Sequence, residues 1–177
     1  EVDKDPNDPE QYWVHYHWNS YQKTNDYAMP DVDIKFKLKS DGLPLPVEIT
    51  LTGPLNKHEL KERPRRVFYP SDGEKWMAAK RLARVSSALY TEVVNHLCIT
   101  HFNTEQFSIA AHRNLRFSPI TNLIFPHIKE VTLVNHTADR ILIGTGYISK
   151  ATALTAKGAI QMALQTGAIA LSDAIDI

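Results

Sequence analysis

The sequence predicts a mostly α protein with a small antiparallel β-hairpin near its N-terminus. Two patterns predict this fold class: apolar and polar residues alternate on both sides of a turn near residue 41, and apolar residues recur with a helical period after Pro70. The length of 177 residues suits one domain, because a single hydrophobic core is usual at about 100–150 residues.

The composition argues against several classes of protein. Lys and Arg number 20 against 20 Asp and Glu, and a net charge of zero argues against nucleic acid as a partner, since such a surface needs clustered cations. No run of about 18 uncharged apolar residues occurs, so no membrane span is predicted. Cys98 is the only cysteine, which excludes an internal disulfide and favours a reducing, cytoplasmic location.

The beginning of the chain differs in composition from the rest. Residues 1–10 contain five acidic residues and two prolines, which predicts little order, and aromatic residues crowd the segment that follows. We therefore expect an acidic and aromatic arm at residues 1–30 and a domain at residues 31–177. The chain starts at Glu1 without a leader-like segment, so we expect a mature, trimmed or partial protein.

A β-hairpin is predicted where the alternation occurs. Apolar residues alternate with lysines and Asp33 from residue 33 to 39, which is typical of a strand with one buried face. A Ser-Asp-Gly turn at residues 40–42 leads into a second alternating run at residues 45–51. Residues 53–66 are mostly polar and predict a loop.

Helical periodicity governs the rest of the chain. Trp76, Ala79 and Ala83 share one face of the first predicted helix. Further helices are expected from about residue 87 or 91 to 115, from 131 to 143 and from 159 to 171. These helices are apolar on more than one side, which predicts that they are buried in something larger than this chain.

Two histidines, His96 and His101, form the pattern in the sequence that most strongly indicates chemistry. At 3.6 residues per turn, side chains five positions apart on an α-helix point about 140° apart. They converge only where the helix widens to i→i+5 bonding, and such widening occurs mostly at functional sites, a metal site being one reason for it. Two core histidines with ordinary hydrogen bonds would produce the same spacing, so the spacing alone leaves both interpretations open.

The residues around this pair resemble the lipoxygenase catalytic domain, in the same order from about Leu45 to Ile143. The similar blocks are Leu45–Leu51, Phe68–Asp72, Trp76–Lys80, His96–His101, Glu105–Leu115, Pro119–Ile120, Leu123–His127 and Asn135–Ile143. Together they cover more than half of the chain. The resemblance implies a fragment of a mostly α catalytic domain.

The resemblance also implies a cofactor and a reaction. His96 and His101 would be the first two ligands of a non-haem iron, with manganese left open because the ligands do not discriminate. The substrates would be a polyunsaturated fatty acid, which loses a hydrogen atom between two cis double bonds, and dioxygen, which traps the radical as a hydroperoxide. The remaining ligands would come from the remaining part of the catalytic domain, and peripheral membrane contact stays open.

Five further positions carry roles by resemblance. Leu97 and Leu142 match leucines that hold the pentadiene beside the iron, and Ala138 matches the small residue that directs oxygen to one face, usually with S products. Glu92 stands where the family has Gln or Glu, which links the metal ligands to further hydrogen bonds, and Glu105 matches an acid that supports the second helix turn. Plain core packing is the alternative for Leu97, Ala138 and Leu142.

The sequence also departs from the family pattern. Asp139 interrupts the usual Ala-Arg pair, and the context of Ile177 resembles an interior loop, so its carboxylate is not assigned to iron. His15 and Asn19 have the spacing of the missing ligand pair but precede the catalytic blocks, so we do not assign them either. The alternative function is a metal-free lipoxygenase-like scaffold that binds fatty acids or a protein partner.

Overall fold

The computed structural model describes residues 2–24, 27–59, 61, 63–115, 118–144 and 146–175. It divides into two compact units, the first formed by Glu1–Ser20 with Thr24–Tyr90 and the second by Tyr21–Lys23 with Thr91–Ile177. Helices predominate and a small antiparallel sheet lies near the N-terminus, which confirms the predicted fold class.

The first unit contains a five-stranded antiparallel sheet in which the strands follow one another in chain order. The strands are β1 (Val2–Lys4), β2 (Gln11–Tyr16), β3 (Asp31–Leu38), β4 (Pro44–Thr52) and β5 (Arg65–Phe68). The predicted hairpin is confirmed as β3 and β4, in which Ile34 lies opposite Ile49. Gly42 at the turn has a φ of 77°, a conformation that glycine adopts without strain.

Two predictions about loops near this sheet are wrong. The acidic start of the chain is ordered at Val2–Lys4, which pairs with β2, because its charges find partners: the Asp5 carboxylate lies 3.0 Å from Lys35 Nζ. The predicted loop ends earlier than expected, since Arg65 opens strand β5. The boundary between arm and domain, expected at residue 30, stays a prediction. Strand β2, which precedes this boundary, pairs along its whole length with β3, which follows it.

One face of the sheet packs against helix α1 (Glu74–Tyr90). The apolar residues of β3 and β4 on that face meet the predicted apolar face of α1. The buried cluster consists of Val32, Ile34, Ile49, Leu51, Trp76, Ala79 and Ala83. This packing leaves the other face of the sheet with its polar side chains, including those of His15 and Asp33.

The second unit is helical. Its elements are a first π-helix (Thr91–Phe102), α2 (Asn103–Asn114), α3 (Pro119–Ile128), α4 (Val131–Ala138), a second π-helix (Asp139–Gly144), α5 (Tyr147–Ala151) and α6 (Ala156–Ile175). The helix predicted from residue 131 to 143 is present, but its hydrogen bonding widens at Asp139. Asp139 is the residue that interrupts the family pattern, and a π segment is a way for a helix to accommodate an extra residue.

Large apolar side chains are exposed on these helices, as the periodicity predicts. Phe107, Leu123, Leu133 and Leu164 are 66%, 70%, 65% and 68% exposed, respectively. Where exposed apolar side chains form a contiguous patch, another protein segment or a ligand usually covers it. Across the described residues, each helix is too short or too polar to cross a membrane.

Candidate metal centre

His96 and His101 converge on one side of the first π-helix. Their Nε2 atoms lie 3.2 Å apart, and the ring centroids are 4.8 Å apart with an angle of 76° between the ring planes. The widening to i→i+5 bonding that the histidine spacing requires is therefore observed, over a segment of 12 residues. In this geometry a side chain five positions along the helix lies one turn above the first.

The opposite side of the π-helix is buried in the second unit. Val93, Val94 and Leu97 are at most 3% exposed, whereas His96 is exposed and His101 is half-buried. Burial also raises the pKa of the Cys98 thiol to about 11. Cys98 therefore stays protonated near neutral pH and is a poor metal ligand, since thiolate is the ligating form.

A carboxylate orients the first histidine. The Nδ1 atom of His96 lies 3.2 Å from Oε2 of Glu92, one helical turn earlier. When Nδ1 carries the proton and donates it to Glu92, the lone pair of the imidazole is on Nε2, which faces His101. Metal-binding histidines commonly have such a carboxylate partner on the second nitrogen.

A buried asparagine supports the end of the π-helix. Asn135 on α4 is 2% exposed, and its Nδ2 donates to the carbonyl oxygen of His101 at 2.9 Å and to Oε2 of Glu105 at 3.1 Å. Where bonding returns from i→i+5 to i→i+4, one carbonyl loses its intrahelical donor. Asn135 supplies a donor close to that junction, and Glu105 holds the amide in place.

Sequence reasoning gave Asn135 no role, although it placed the residue in a block that resembles the family. A signal was available, since Asn135 lies four residues after Val131 and three before Ala138, on the apolar side of the predicted helix, and a buried asparagine needs hydrogen-bond partners. Its Oδ1 atom is buried and has no hydrogen-bond partner among the described residues. The Nδ2 group of Asn135, by contrast, donates both of its hydrogen bonds within the second unit.

The three residues predicted to contact substrate lie in the same unit. Leu97 is buried in the first π-helix, one residue after His96. Ala138 is the last residue of α4, and Leu142 lies in the second π-helix. Both of these are half-buried. The structure shows where these residues lie, and their contact with a fatty acid stays a prediction.

The two imidazoles of this candidate centre would suit a first-row transition metal. Two neutral imidazoles suit iron, and also zinc, copper or nickel. Among the described residues, no third His, Cys, Asp or Glu joins His96 and His101 in a ligand group. His15 and Asn19, which share the spacing of the missing pair, contact Asp33 and Asp31 in the first unit.

Comparison with known proteins identifies the family. The lipoxygenase family model matches residues 15–168. A linoleate 9S-lipoxygenase from Glycine max is 32% identical over 144 residues, which cover 78% of this chain and 16% of that protein. A linoleate 9S-lipoxygenase from Arabidopsis thaliana is 30% identical over 71% of this chain and 15% of its own length.

A solved structure agrees with these relatives. The crystal structure of a 9R-lipoxygenase from Cyanothece has a TM-score of 0.81 and 30% identity, and covers 92% of this chain and 25% of that chain. The present chain therefore belongs to the lipoxygenase family. It spans about a sixth of the length of the curated relatives that it matches.

Proposed function

We propose that this chain supplies the first two histidine ligands, and part of the substrate channel, of a non-haem iron centre that adds dioxygen to polyunsaturated fatty acids. The observation that carries the proposal is the 3.2 Å separation of the Nε2 atoms of His96 and His101 on a π-helix. Two imidazole nitrogens at this distance either share one proton in a hydrogen bond or, when both present lone pairs, hold one metal ion, and the proposal takes the second arrangement.

The chain's own residues prepare the centre. Glu92 holds the proton on Nδ1 of His96, so that Nε2 is available as a ligand. Asn135 and Glu105 fix the end of the π-helix from which His101 projects. The ligand positions are therefore set before a metal binds, which lowers the conformational cost of binding.

When bound, the iron would supply the redox step that removes a hydrogen atom from the methylene group between two double bonds. Leu97 and Leu142 would hold the pentadiene beside the metal through apolar contact. Ala138 would shield one end of the resulting radical from dioxygen by the volume of its methyl group. The relatives' names include both 9S and 9R enzymes, so they do not decide the chirality of the product. A substitution at Ala138 tests it.

The missing ligands would come from the remaining part of the catalytic domain. This is consistent with two histidines at the centre, with the exposed apolar helices and with the small share of the relatives that the chain spans. Iron is preferred to manganese on the family assignment, and the donor atoms accept either.

The experiment compares two proteins for conversion of linoleate to its conjugated-diene hydroperoxide. The first is the 177-residue chain alone, which we expect to bind iron weakly and to form no product. The second is this chain together with the rest of a lipoxygenase catalytic domain, which we expect to form product and to lose that activity in His96→Gln. An active domain that is unchanged by His96→Gln would refute the assignment.

The same two proteins also distinguish the proposed iron centre from the alternative function, a metal-free scaffold. A scaffold would bind linoleate in the complete domain without iron and without forming hydroperoxide. Iron content measured alongside the activity therefore distinguishes the two functions. Turnover by the 177-residue chain alone would contradict the proposal that the centre needs further ligands.

A further inference from the structure

The outward face of the sheet carries a second group of metal-binding side chains. His15 lies on strand β2 with its side chain on the face away from the core, and His17, just after the end of β2, reaches the same carboxylate as His15. Strand β3 brings Asp33 directly opposite His15. Residues that are far apart in the sequence thus meet on one face of the sheet in the first unit.

The three side chains are within reach of one ion. Nδ1 of His15 lies 2.7 Å from Oδ1 of Asp33, and Nε2 of His17 lies 3.0 Å from the same oxygen. One ligand atom from each of these residues lies within 4.8 Å of the other two. Ligands at about 2.0–2.2 Å from a metal are separated by roughly 3 Å, so small side-chain rotations would place an ion among them.

A fourth residue orients the first histidine. Oδ2 of Asp3 on β1 lies 3.5 Å from Nε2 of His15. With Nδ1 directed at the site, the Nε2 proton of His15 points towards this carboxylate, which is the usual arrangement around a metal-bound imidazole. Two carboxylates also make the local potential favourable for a cation.

We propose that His15, His17 and Asp33 bind a divalent transition metal of the zinc type. Two imidazoles and one carboxylate are a ligand set that zinc accepts, with the fourth position left to water. His17 is 60% exposed and His15 and Asp33 are 20% and 23% exposed, so an ion can enter from solvent. The ion would join β2 to β3 directly and β1 through Asp3.

The metal would act as a structural clamp. A ligand that binds only the folded state stabilises it in proportion to the logarithm of ligand concentration over Kd. This clamp would hold the short outer strand β1, whose pairing with β2 spans three residues on each strand. Binding should therefore raise the melting temperature of the chain.

The test uses the full 177-residue chain carrying His96→Gln and His101→Gln, so that the first π-helix contributes no imidazole ligands. Zn²⁺ binding is measured by calorimetry and by the rise in melting temperature, and Co²⁺ is used as a coloured substitute. The three comparison variants, added separately, are His17→Gln, Asp33→Asn and, as a matched control, His58→Gln. His58 is an exposed histidine in the same unit.

The background protein should bind one Zn²⁺, show the visible absorption of Co²⁺ with nitrogen and oxygen ligands, and melt at a higher temperature with zinc. His17→Gln should weaken binding at least about tenfold, and the exposed position of His17 keeps this variant folded even if Asp33→Asn is not. His58→Gln should change nothing. No zinc binding in the background protein, or binding that is unchanged by His17→Gln, would overturn the proposal.

Discussion

The Nε2 atoms of His96 and His101 lie 3.2 Å apart although the two residues are five positions apart in one helix. A regular α-helix would direct these rings about 140° apart. The convergence therefore depends on the π-helical segment Thr91–Phe102, and any residue that maintains this segment also maintains the pair. Asn135 supports the end of this segment and Glu92 orients the ring of His96, and each gives a prediction.

Replacing Glu92 by Gln should weaken iron binding by about 10–100-fold. The neutral amide oxygen of glutamine is a weaker acceptor for the Nδ1 proton of His96 than a carboxylate, and the amide NH2 can instead donate to Nδ1, so the tautomer with Nε2 free is less favoured. Equilibrium dialysis against Fe²⁺ measures the change. Glu130→Gln, at an exposed position before α4, is the control and should bind iron as the unmodified chain does. Equal affinities in both variants would show that Glu92 has no part in the centre.

Replacing Asn135 by Ala should lower the free energy of unfolding by about 1–3 kcal/mol. The substitution removes the donor to the carbonyl oxygen of His101 and to the Glu105 carboxylate, within a buried site. Urea denaturation provides the measurement, and Asn122→Ala on the exposed side of α3 is the control. A loss no larger than in the control would mean that Asn135 does not support the π-helix.

The Cys98 thiol should react slowly with thiol reagents at pH 8. Burial raises its pKa to about 11, so the thiolate fraction is small and the sulfur is shielded in the folded state. The folded pKa lies above the ordinary value of 9.0, so the associated stability is complete below pH 9 and is lost as the pH rises towards 11. Labelling rates with and without urea, measured from pH 7 to 11, test this. Labelling as fast as in the unfolded chain at pH 8 would contradict it.

Replacing Ala138 by Gly in a complete catalytic domain should shift the position and chirality of the hydroperoxide. Loss of the methyl group opens space at one end of the radical, at a helix-propensity cost of about 1 kcal/mol. Ala110→Gly on α2 has a similar propensity cost and is the control. Chiral chromatography measures the products. An unchanged product ratio in a folded, iron-loaded Ala138→Gly domain would assign Ala138 to packing alone.

Local patterns predicted most of the fold. The alternation around the turn at Gly42 predicted β3 and β4, and the apolar period from Trp76 predicted α1. The histidine spacing also predicted that the helix widens if His96 and His101 are to meet. These features could be predicted because each depends on residues that are close together in the sequence.

The features that the sequence did not reveal depend on distant pairings. Nothing local indicates that the Asp33 carboxylate lies opposite His15, because the register of two strands is fixed by the whole sheet. Likewise, the partners of Asn135 lie 34 and 30 residues earlier in the chain. The short strand β1 was missed because its charged residues resemble a disordered tail until Asp5 is placed beside Lys35.

The central claim is that His96 and His101 bind one metal ion together. The most direct measurement is a titration of the 177-residue chain with Fe²⁺, followed by proton NMR of the histidine rings. The signals of His96 and His101 should broaden in parallel at the same Fe²⁺ concentrations, while that of His136, exposed on α4, stays sharp. Broadening of only one of the two rings, or of neither ring, would contradict a shared site. Equal broadening of the His136 signal would also contradict it.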